Sequence, residues 1–353
     1  MSHPVIETLL LGESPAMRRL RGLIARVARA PLSVLIQGPT GAGKELVALA
    51  LHLSSGRAGR YVAFNVCAIS EPMFEDALFG HVRGAFTGAV TDARGYLAEA
   101  HRGTAFLDEV SGLPLAAQVK LLRAIETREF RPVGGREDAR SDFRTVAATN
   151  DDLAALVHAG TFRRDLAQRL SGITLEVPSL RDRIEDIPVL ARHFLAAALS
   201  PGANLTLAPG ALQELQSYDW PGNVRELRNV IECATALADT RVIDASDVAD
   251  LLRRDASVAV NADDVSVLRS RLLDAIEHCG GDVSQVAERL GKHPATVYRL
   301  LRRLGIATPK RQRAPRHVDD ASGTGVIALF ASGRAKSQYD GATANNLEAL
   351  GVN

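Results

Sequence analysis

The sequence predicts an α/β fold, in which a parallel sheet with helices on both sides is followed by helical segments. Between residues 33 and 178, runs of strand length alternate with helical segments, and most of these runs are almost continuously apolar. Strands of a parallel sheet are buried on both faces and have this composition. The strand pattern ends at Pro178. The five predicted strands lie at 33–38, 61–65, 104–108, 143–150 and 173–177.

The composition is that of a soluble globular chain with room for two or three domains. Its 353 residues are 46% hydrophobic and 24% charged, which excludes wholesale disorder. No apolar run reaches the roughly 18 residues of a membrane helix, and the N-terminus lacks a signal-peptide pattern. The three cysteines, Cys67, Cys233 and Cys279, are scattered singly and form no metal or disulfide pattern. We therefore expect a reducing, cytoplasmic environment.

Changes in composition divide the chain into six predicted parts. Proline–glycine pairs interrupt the helical region 185–240, and a polar stretch follows it. From about residue 308 the chain is first basic and then rich in Gly, Ser, Ala and Asn, so we expect disorder there. The parts are a short segment 1–10, an α/β subdomain 11–178, a helical subdomain 179–240, a linker 241–265, a two-helix module 266–307 and a tail 308–353.

A phosphate-binding loop follows the first predicted strand and opens a helix. Its glycines allow backbone N–H groups to close around phosphates, the helix N-terminus adds positive potential, and Lys44 supplies a point charge. The Ser or Thr that usually follows the lysine and binds Mg²⁺ is replaced by Glu45. The predicted nucleotide-binding residues are Gly38, Pro39, Thr40, Gly41, Ala42, Gly43, Lys44 and Glu45.

Polar side chains end two later strands at the same predicted sheet edge. Asp108 and Glu109 follow an apolar strand, where they suit a Mg²⁺-holding aspartate and a water-activating glutamate. Asn150 ends the next strand, within reach of a γ-phosphate. Without the phosphate-binding loop, a solvated strand end or an ordinary Asn turn would be the better interpretation of these residues. Together the elements predict binding and hydrolysis of ATP with Mg²⁺.

These elements occur in the order found in AAA+ ATPases, and the chain resembles one branch of that class. Residues 84–89 spell Gly-Ala-Phe-Thr-Gly-Ala, the signature of sigma-54-dependent transcriptional activators (bacterial enhancer-binding proteins). The resemblance extends from Leu11 to Ile306 and implies an AAA+ sheet with an all-α lid. Further matching stretches lie at 79–81, 121–126, 162–166, 178–183 and 220–227.

The resemblance assigns catalytic roles that spacing alone does not. It implies that Glu109 is the catalytic glutamate and that Asn65 restrains it. Arg163 and Arg169 match the arginines that are presented to the nucleotide of a neighbouring subunit, although surface salt bridging is an alternative role for both. Arg225 matches the lid arginine that senses nucleotide. Glu45 is then expected, because this family commonly has glutamate after the lysine.

The signature hexapeptide implies a mobile loop that contacts sigma-54. Two glycines permit the turn, and an exposed phenylalanine needs a partner, although an aromatic side chain tucked into the body stays possible from sequence alone. The residues implied are Gly84, Ala85, Phe86, Thr87, Gly88 and Ala89.

Four departures from the family are visible. Residues 65–68 read Asn-Val-Cys-Ala in place of Asn-Cys-Ala-Ala, and residues 293–294 are His-Pro where Fis-type recognition helices often have a polar residue and then Arg. The stretch Gly95-Tyr-Leu-Ala-Glu-Ala-His-Arg-Gly103-Thr104 lacks the Phe-Glu pair and one glycine of the family, which leaves the packing beneath the loop open. About ten residues precede the ATPase, too few for a sensor domain, so we expect no control by phosphorylation in cis. The activity would then be controlled by a separate regulatory protein, by the expression level or not at all.

The C-terminal module is predicted to bind DNA. Residues 282–291 and 294–305 are typical of two helices joined by a short turn, and Val297, Leu300, Leu301 and Leu304 form one apolar stripe. Residues 266–316 carry 11 Lys/Arg against 4 Asp/Glu, while the whole chain has a net charge of +1. This resembles a Fis-type helix-turn-helix; a helical hairpin with a solvated basic face is the alternative. The predicted DNA-binding residues are Thr296, Tyr298, Arg299, Arg302 and Arg303.

The sequence as a whole predicts an ATP-dependent transcriptional activator. It would bind enhancer-like DNA, assemble into a homo-oligomer, expected to be a hexamer, and remodel the closed complex of sigma-54 RNA polymerase. Two alternatives remain: a DNA-binding regulator that keeps the ATPase body as a scaffold, and a remodeller of another DNA-bound machine. The intact hexapeptide at 84–89 argues against both.

Overall fold

A computed structural model describes residues 4–199, 204–238, 240–256, 272–276, 278–279, 282–289, 297, 301 and 306. The helices are α1 (Pro4–Leu9), α2 (Pro15–Val27), α3 (Lys44–Leu53), α4 (Glu71–Phe79), α5 (Tyr96–Glu99), α6 (Leu115–Thr127), α7 (Leu153–His158), α8 (Arg164–Leu170), α9 (Ile187–Ala198), α10 (Pro209–Ser217), α11 (Asn223–Leu237), α12 (Ala245–Ala256) and α13 (Val283–Arg289). Within these residues, no helix is long and apolar enough to cross a membrane.

Five parallel strands form the central sheet in the order β2-β5-β8-β1-β9. The strands in chain order are β1 (Val34–Gln37), β2 (Tyr61–Asn65), β3 (Gly80–His81), β4 (Ala93–Arg94), β5 (Thr104–Asp108), β6 (Glu129–Phe130), β7 (Ala139–Arg140), β8 (Arg144–Thr149), β9 (Ile173–Glu176), β10 (Thr206–Leu207) and β11 (Val242–Ile243). All five predicted strands are therefore confirmed, and they make up the whole of this sheet.

Helices cover both faces of the sheet, as its apolar strands require. Successive residues of one strand point to opposite faces, and Leu35 and Ile36 of β1 belong to two different apolar clusters. One cluster joins the sheet to α4–α8 through residues such as Phe64 and Leu121. The other joins it to α1–α3 through residues such as Leu51. The segment 1–10 thus contributes α1, whose Ile6 is buried in the second cluster.

Two short antiparallel hairpins lie outside the five-stranded sheet and touch each other. Strands β3 and β4 pair at the base of the signature loop, and β6 and β7 form the second hairpin. The backbone N–H of Val82 donates to the Val133 carbonyl at 3.1 Å, and that of Val133 donates to the Gly80 carbonyl at 2.8 Å. The two hairpins therefore share backbone hydrogen bonds and form one unit.

The structure resolves the packing beneath the signature loop that the family departures left open. Leu97 of α5 is fully buried where the family has phenylalanine. Arg102, which stands where the family has a further glycine, takes a left-handed φ of +58°. Its backbone N–H is held by the Asp142 carbonyl. The arginine adopts the glycine-like conformation because its neighbours fix the backbone there.

Four helices, α9 to α12, form the lid around an apolar core of its own, separate from the two clusters that cover the sheet. Trp220, with 1% of its surface exposed, lies at its centre and donates its indole N–H to the Leu215 carbonyl at 2.7 Å. The predicted linker 241–265 needs correction, since its first part forms β11 and α12. Val248 and Leu252 of α12 are buried in the lid core because they form an apolar stripe on that helix. A two-residue parallel pair, β10 with β11, also adds to a lid that the sequence predicts as all-helical.

The C-terminal module is described in part. Helix α13 places Val286 and Ala287 against Val297 and Leu301 in a small apolar cluster. Two members of the predicted apolar stripe are thus buried. Leu300 and Leu304, and the predicted DNA-binding residues Thr296, Tyr298, Arg299, Arg302 and Arg303, lie outside the described residues, as does the predicted tail 308–353.

Candidate functional site

The phosphate-binding loop connects β1 to α3 in the way the sequence predicts. Gly41 and Gly43 have φ values of +76° and +105°, which side chains other than glycine rarely adopt. Lys44 begins α3, with a side chain only 7% exposed. Its Nζ donates to the Gly38 carbonyl at 3.0 Å and lies 3.7 Å from a carboxylate oxygen of Glu109. These partners offset the cost of burying the ammonium group.

Asp108 and Glu109 stand at the end of β5, beside the phosphate-binding loop. Glu109 has φ +53° and ψ +48°, a left-handed conformation that costs a non-glycine residue about 1–3 kcal/mol. Its backbone N–H donates to an Asp108 carboxylate oxygen at 3.1 Å. Its own carboxylate is 23% exposed and faces Lys44. The strained turn thus directs one acid toward the lysine, a feature that no sequence signal indicated.

Asn65 and Asn150 end the strands on either side of β5, as expected. Asn65 lies opposite Asp108 in the register of β2 and β5. Its side-chain oxygen accepts the backbone N–H of Cys67 at 2.9 Å, so that it caps a turn of its own segment. Asn150, at the end of β8, donates to the Thr40 hydroxyl oxygen at 3.3 Å. The structure therefore brings Asn150 to the phosphate-binding loop.

Cys67 is a neighbour of the acidic edge that the sequence patterns did not mark. Partial burial, followed by the charges of Glu109, Asp108 and Asp151, raises the pKa of its thiol above the ordinary value. Negative groups disfavour a thiolate, so Cys67 stays protonated at neutral pH. The carboxylates of Glu109, Asp108 and Asp151 therefore lie near Cys67 at this edge of the sheet.

Arg163 immediately precedes α8, and Arg169 lies in the last turn of that helix. Both side chains are exposed. Arg163 is exposed and forms two hydrogen bonds with Asp165, at 2.7 and 3.1 Å. Arg169 is exposed near the end of the same helix. Neither guanidinium contacts the phosphate-binding loop of its own chain among the described residues. Gln118, which sequence analysis missed, is fully buried and accepts the backbone N–H of Arg163 at 2.8 Å. Gln118 therefore holds the backbone of Arg163 in place, and with it the position from which the exposed arginine side chain extends.

The lid reaches the phosphate-binding loop through the residues before and within α11. The backbone N–H of Arg225 donates to the Gly41 carbonyl at 3.2 Å, and the Arg225 side chain is exposed. A Cβ on Gly41 would collide with the Gly222 carbonyl oxygen. Glycine at position 41 is therefore needed for this contact as well as for its positive φ.

The signature loop closes on itself and leaves Phe86 half exposed. Gly84 and Gly88 have φ values of +81° and +105°, and the Gly84 N–H donates to the Ala89 carbonyl at 2.8 Å. The ring of Phe86 is 42% exposed and meets the His81 ring edge to face, with centroids 5.0 Å apart. Asp76 accepts a hydrogen bond from that histidine. Phe86 is thus not buried in the protein, but its ring packs against the side chain of His81.

The second hairpin supports this loop through Gly134. We expect Gly134→Ala to displace the signature loop, because the new Cβ would lie 2.7 Å from the Cβ of Ala85 at a residue with φ +72°. The activation of transcription that the sequence predicts for this loop should fall while the predicted ATP hydrolysis persists, measured side by side on one preparation. Gly160→Ala is the matched control: its φ is +75°, but the added Cβ meets nothing within 4 Å. An equal loss of activation in both variants would contradict the contact.

A parallel sheet that carries a phosphate-binding loop and an acidic strand end, beneath a helical lid, defines an ATPase of the AAA+ class. Comparison with known proteins gives three family matches. The Sigma-54 interaction domain matches residues 10–176, the AAA+ ATPase lid domain residues 181–265 and the IclR helix-turn-helix domain residues 270–304. The chain belongs to the sigma-54-dependent transcriptional activators. The helix-turn-helix prediction is confirmed; the matched type is IclR, whereas the resemblance implies Fis.

Individual relatives agree with this assignment. The chain is 42% identical to the transcriptional regulatory protein ZraR of Escherichia coli K12 over 83% of its own length and 68% of that protein. It is also 42% identical to the response regulator PilR of Pseudomonas aeruginosa over 85% of itself and 71% of that protein. The crystal structure of NtrX from Brucella abortus in complex with ATP is 35% identical, with a TM-score of 0.63 over 84% of this chain and 69% of that one.

The assignment defines the coarse activity. This chain is an AAA+ ATPase and a transcriptional activator whose partners are sigma-54 RNA polymerase and DNA. NtrX from Brucella abortus is known in complex with ATP and in complex with ADP.

Proposed function

We propose that this protein couples ATP hydrolysis to remodelling of the closed complex of sigma-54 RNA polymerase, so that promoter DNA melts. The observation that carries the proposal is the contact between Lys44 and Glu109, which joins the phosphate-binding loop to the acidic edge in one site. The half-exposed Phe86 supports it, because an aromatic side chain on an exposed loop suits a protein partner. The cytoplasmic location that we expect follows from this polymerase partner.

The proposed chemistry is in-line attack of water on the γ-phosphate. Glu109 orients or activates the water, Lys44 holds the β- and γ-phosphates, and Asn150 stands beside them through its contact with Thr40. Asp108 presents a carboxylate at the strand end, the kind of ligand that Mg²⁺ takes together with phosphate oxygens. A Mg²⁺ ion held there would neutralise phosphate charge.

The site is proposed to be completed by a neighbouring subunit. Arg163 and Arg169 are exposed and lie outside their own nucleotide site, as expected of groups that serve an adjacent one. An arginine donated in this way stabilises charge on the transferring phosphoryl group and makes hydrolysis depend on assembly. Asp165, which pairs with Arg163, would hold that arginine until the neighbour arrives. We propose a ring, most simply a hexamer, with Arg225 following the nucleotide from the lid.

The remaining proposed roles concern DNA and regulation. The helix-turn-helix module would hold the assembly at an enhancer-like site through Thr296, Tyr298, Arg299, Arg302 and Arg303. We also propose that α12 belongs to the lid, which precedes this module, since α12 packs on the lid core.

Open-complex formation tests the proposed function. Purified protein is added with ATP or ADP to sigma-54 polymerase on a sigma-54 promoter, and melting is detected by permanganate reactivity of unpaired thymines. We expect melting with ATP only. Hydrolysis without melting would favour a different DNA-bound target, and absence of hydrolysis at any protein concentration would favour the scaffold alternative.

A further inference from the structure

Three successive carbonyl groups of the phosphate-binding loop accept hydrogen bonds from the lid and from the turn that leads to it. The Thr40 carbonyl accepts the Asn223 side-chain amide at 3.0 Å. The Gly41 carbonyl accepts the Arg225 backbone N–H at 3.2 Å. The Ala42 carbonyl accepts a guanidinium N–H of Arg183 at 2.9 Å. The sequence predicts no role for Asn223 or Arg183, and the proposed catalytic chemistry does not use them.

These bonds fix how the loop presents its amides. A peptide unit is planar and trans, so that a carbonyl and the following N–H point in opposite directions. With the Thr40 and Ala42 carbonyls held toward the lid side, the N–H groups of Gly41 and Gly43 are directed away from it. The middle unit is held at both ends, because the Ala42 N–H also donates to the Pro39 carbonyl at 3.2 Å. Phosphate-binding loops act through amides oriented in this way.

Asn223 is held in this position by its burial, its backbone conformation and hydrogen bonds at both ends of its side-chain amide. Its side chain is 3% exposed, and its φ of +55° is in the left-handed region that asparagine tolerates better than most residues. While its Nδ2 donates to Thr40, its Oδ1 accepts the backbone N–H of Leu180 at 2.8 Å. Leu180 lies in the segment between β9 and the lid. One buried side chain thus joins the phosphate-binding loop to the point where the lid leaves the sheet.

Arg183 connects the same loop to the N-terminal segment. It is 3% exposed and lies in the 3₁₀ turn Arg181–Asp186, and its second guanidinium nitrogen contacts the Met17 sulfur of α2 at 2.9 Å. Asp186, from the same turn, accepts the backbone N–H groups of Glu13 and Ser14 at 2.7 and 2.8 Å. The turn is therefore anchored independently, and Arg183 extends from a fixed base to the Ala42 carbonyl.

We propose that Asn223 and Arg183 are positioning residues that preset the peptide units of the phosphate-binding loop, so that lid position determines affinity for the nucleotide's β- and γ-phosphates. The inference rests on the proposed use of this site for ATP and adds how the lid controls it. A lid movement that breaks these bonds would free the loop carbonyls to turn, and the amides with them, and would lower that affinity. These bonds are made to the loop that binds phosphates, so we expect them to have little effect on binding of the adenosine part of the nucleotide.

Asn223→Asp tests the proposal almost without change of shape. The substitution keeps the oxygen that accepts from Leu180 but places a charged oxygen against the Thr40 carbonyl, where a donor stood. We expect the Kd of the full chain for ATP, measured by calorimetry, to rise about tenfold or more, since a buried acceptor loses its partner. The Kd for AMP, which lacks the β- and γ-phosphates, should change little. Asn229→Asp, the same change on α11, is the control and should change neither.

Arg183 provides a second, independent pair of variants if Asn223→Asp fails to fold. Arg183→Met removes the donor to Ala42 and should raise the Kd for ATP, whereas Arg183→Lys keeps a charged donor and should recover part of the affinity. Unchanged ATP affinity in a folded Asn223→Asp or Arg183→Met protein would overturn the proposal. An equal loss of ATP and AMP affinity would also overturn it, because that result means general damage to the site. A chain that binds ATP without hydrolysing it would refute the proposed function and leave this test intact.

Discussion

Replacing Glu109 by glutamine is expected to reduce kcat for ATP hydrolysis by about 10²–10⁴-fold, the usual contribution of a general base. Glutamine keeps the size of the side chain and one acceptor oxygen but cannot take a proton from the attacking water. ATP binding should persist, because Lys44 keeps its hydrogen bond to the Gly38 carbonyl when the carboxylate 3.7 Å away becomes neutral. Steady-state phosphate release and calorimetric ATP binding measure the two effects separately.

Glu126→Gln is the matched control for this prediction. Glu126 is an exposed acid in the last turn of α6 and is not one of the predicted site residues. The same loss of charge there should leave kcat nearly unchanged. A Glu109→Gln protein that hydrolyses ATP at the original rate would show that another group activates the water. Loss of ATP binding together with hydrolysis would mean that Glu109 shapes the site and does not act as the base.

Thr87→Ala is expected to reduce open-complex formation strongly while ATP hydrolysis continues. Thr87 is exposed in the middle of the signature loop, and its side chain makes no hydrogen bond within the described part of the chain. Truncation therefore removes little from the fold, but it removes a hydroxyl and a methyl group from the proposed contact with sigma-54. We expect promoter melting to fall by about tenfold or more, as at an interface hot spot. Permanganate reactivity and phosphate release on the same samples report the two activities.

Thr91→Ala is the matched control for Thr87→Ala. Thr91 is also exposed but lies outside the hexapeptide, and its replacement should leave melting unchanged. Full melting by Thr87→Ala would refute the role assigned to the loop. A fall in hydrolysis equal to the fall in melting would place the defect in the ATPase and not in the partner contact.

The sequence is informative where local chemistry is dictated by a few neighbouring residues. The phosphate-binding loop needs glycine at positions 41 and 43 because of their positive φ values, so that the motif marks the site. The apolar runs predict all five strands of the main sheet, since a parallel strand is buried on both faces. Parallel strands end at one edge, and this rule alone predicts that Asp108 lies near the loop.

The features that sequence analysis missed depend on contacts between distant parts of the chain. Asn223 and Thr40 are separated by 183 residues, and a single Asn at the start of a helix carries no signal of its partner. Gln118 is a polar residue on an otherwise buried face of α6, a pattern that can be noticed but not interpreted without knowing that it holds Arg163. The sequence predicts a linker beyond residue 240, because polar residues outnumber the buried Val248 and Leu252 there.

The position of Trp220 has a practical consequence. It is the single tryptophan of the chain, buried in the lid three residues before Asn223, with the Tyr218 ring 5.1 Å away. Because indole emission depends on the polarity and quenching groups around the ring, a change of packing in this part of the lid can be followed by intrinsic fluorescence without attaching a dye. Rapid mixing with nucleotide would then time that change in the unmodified protein.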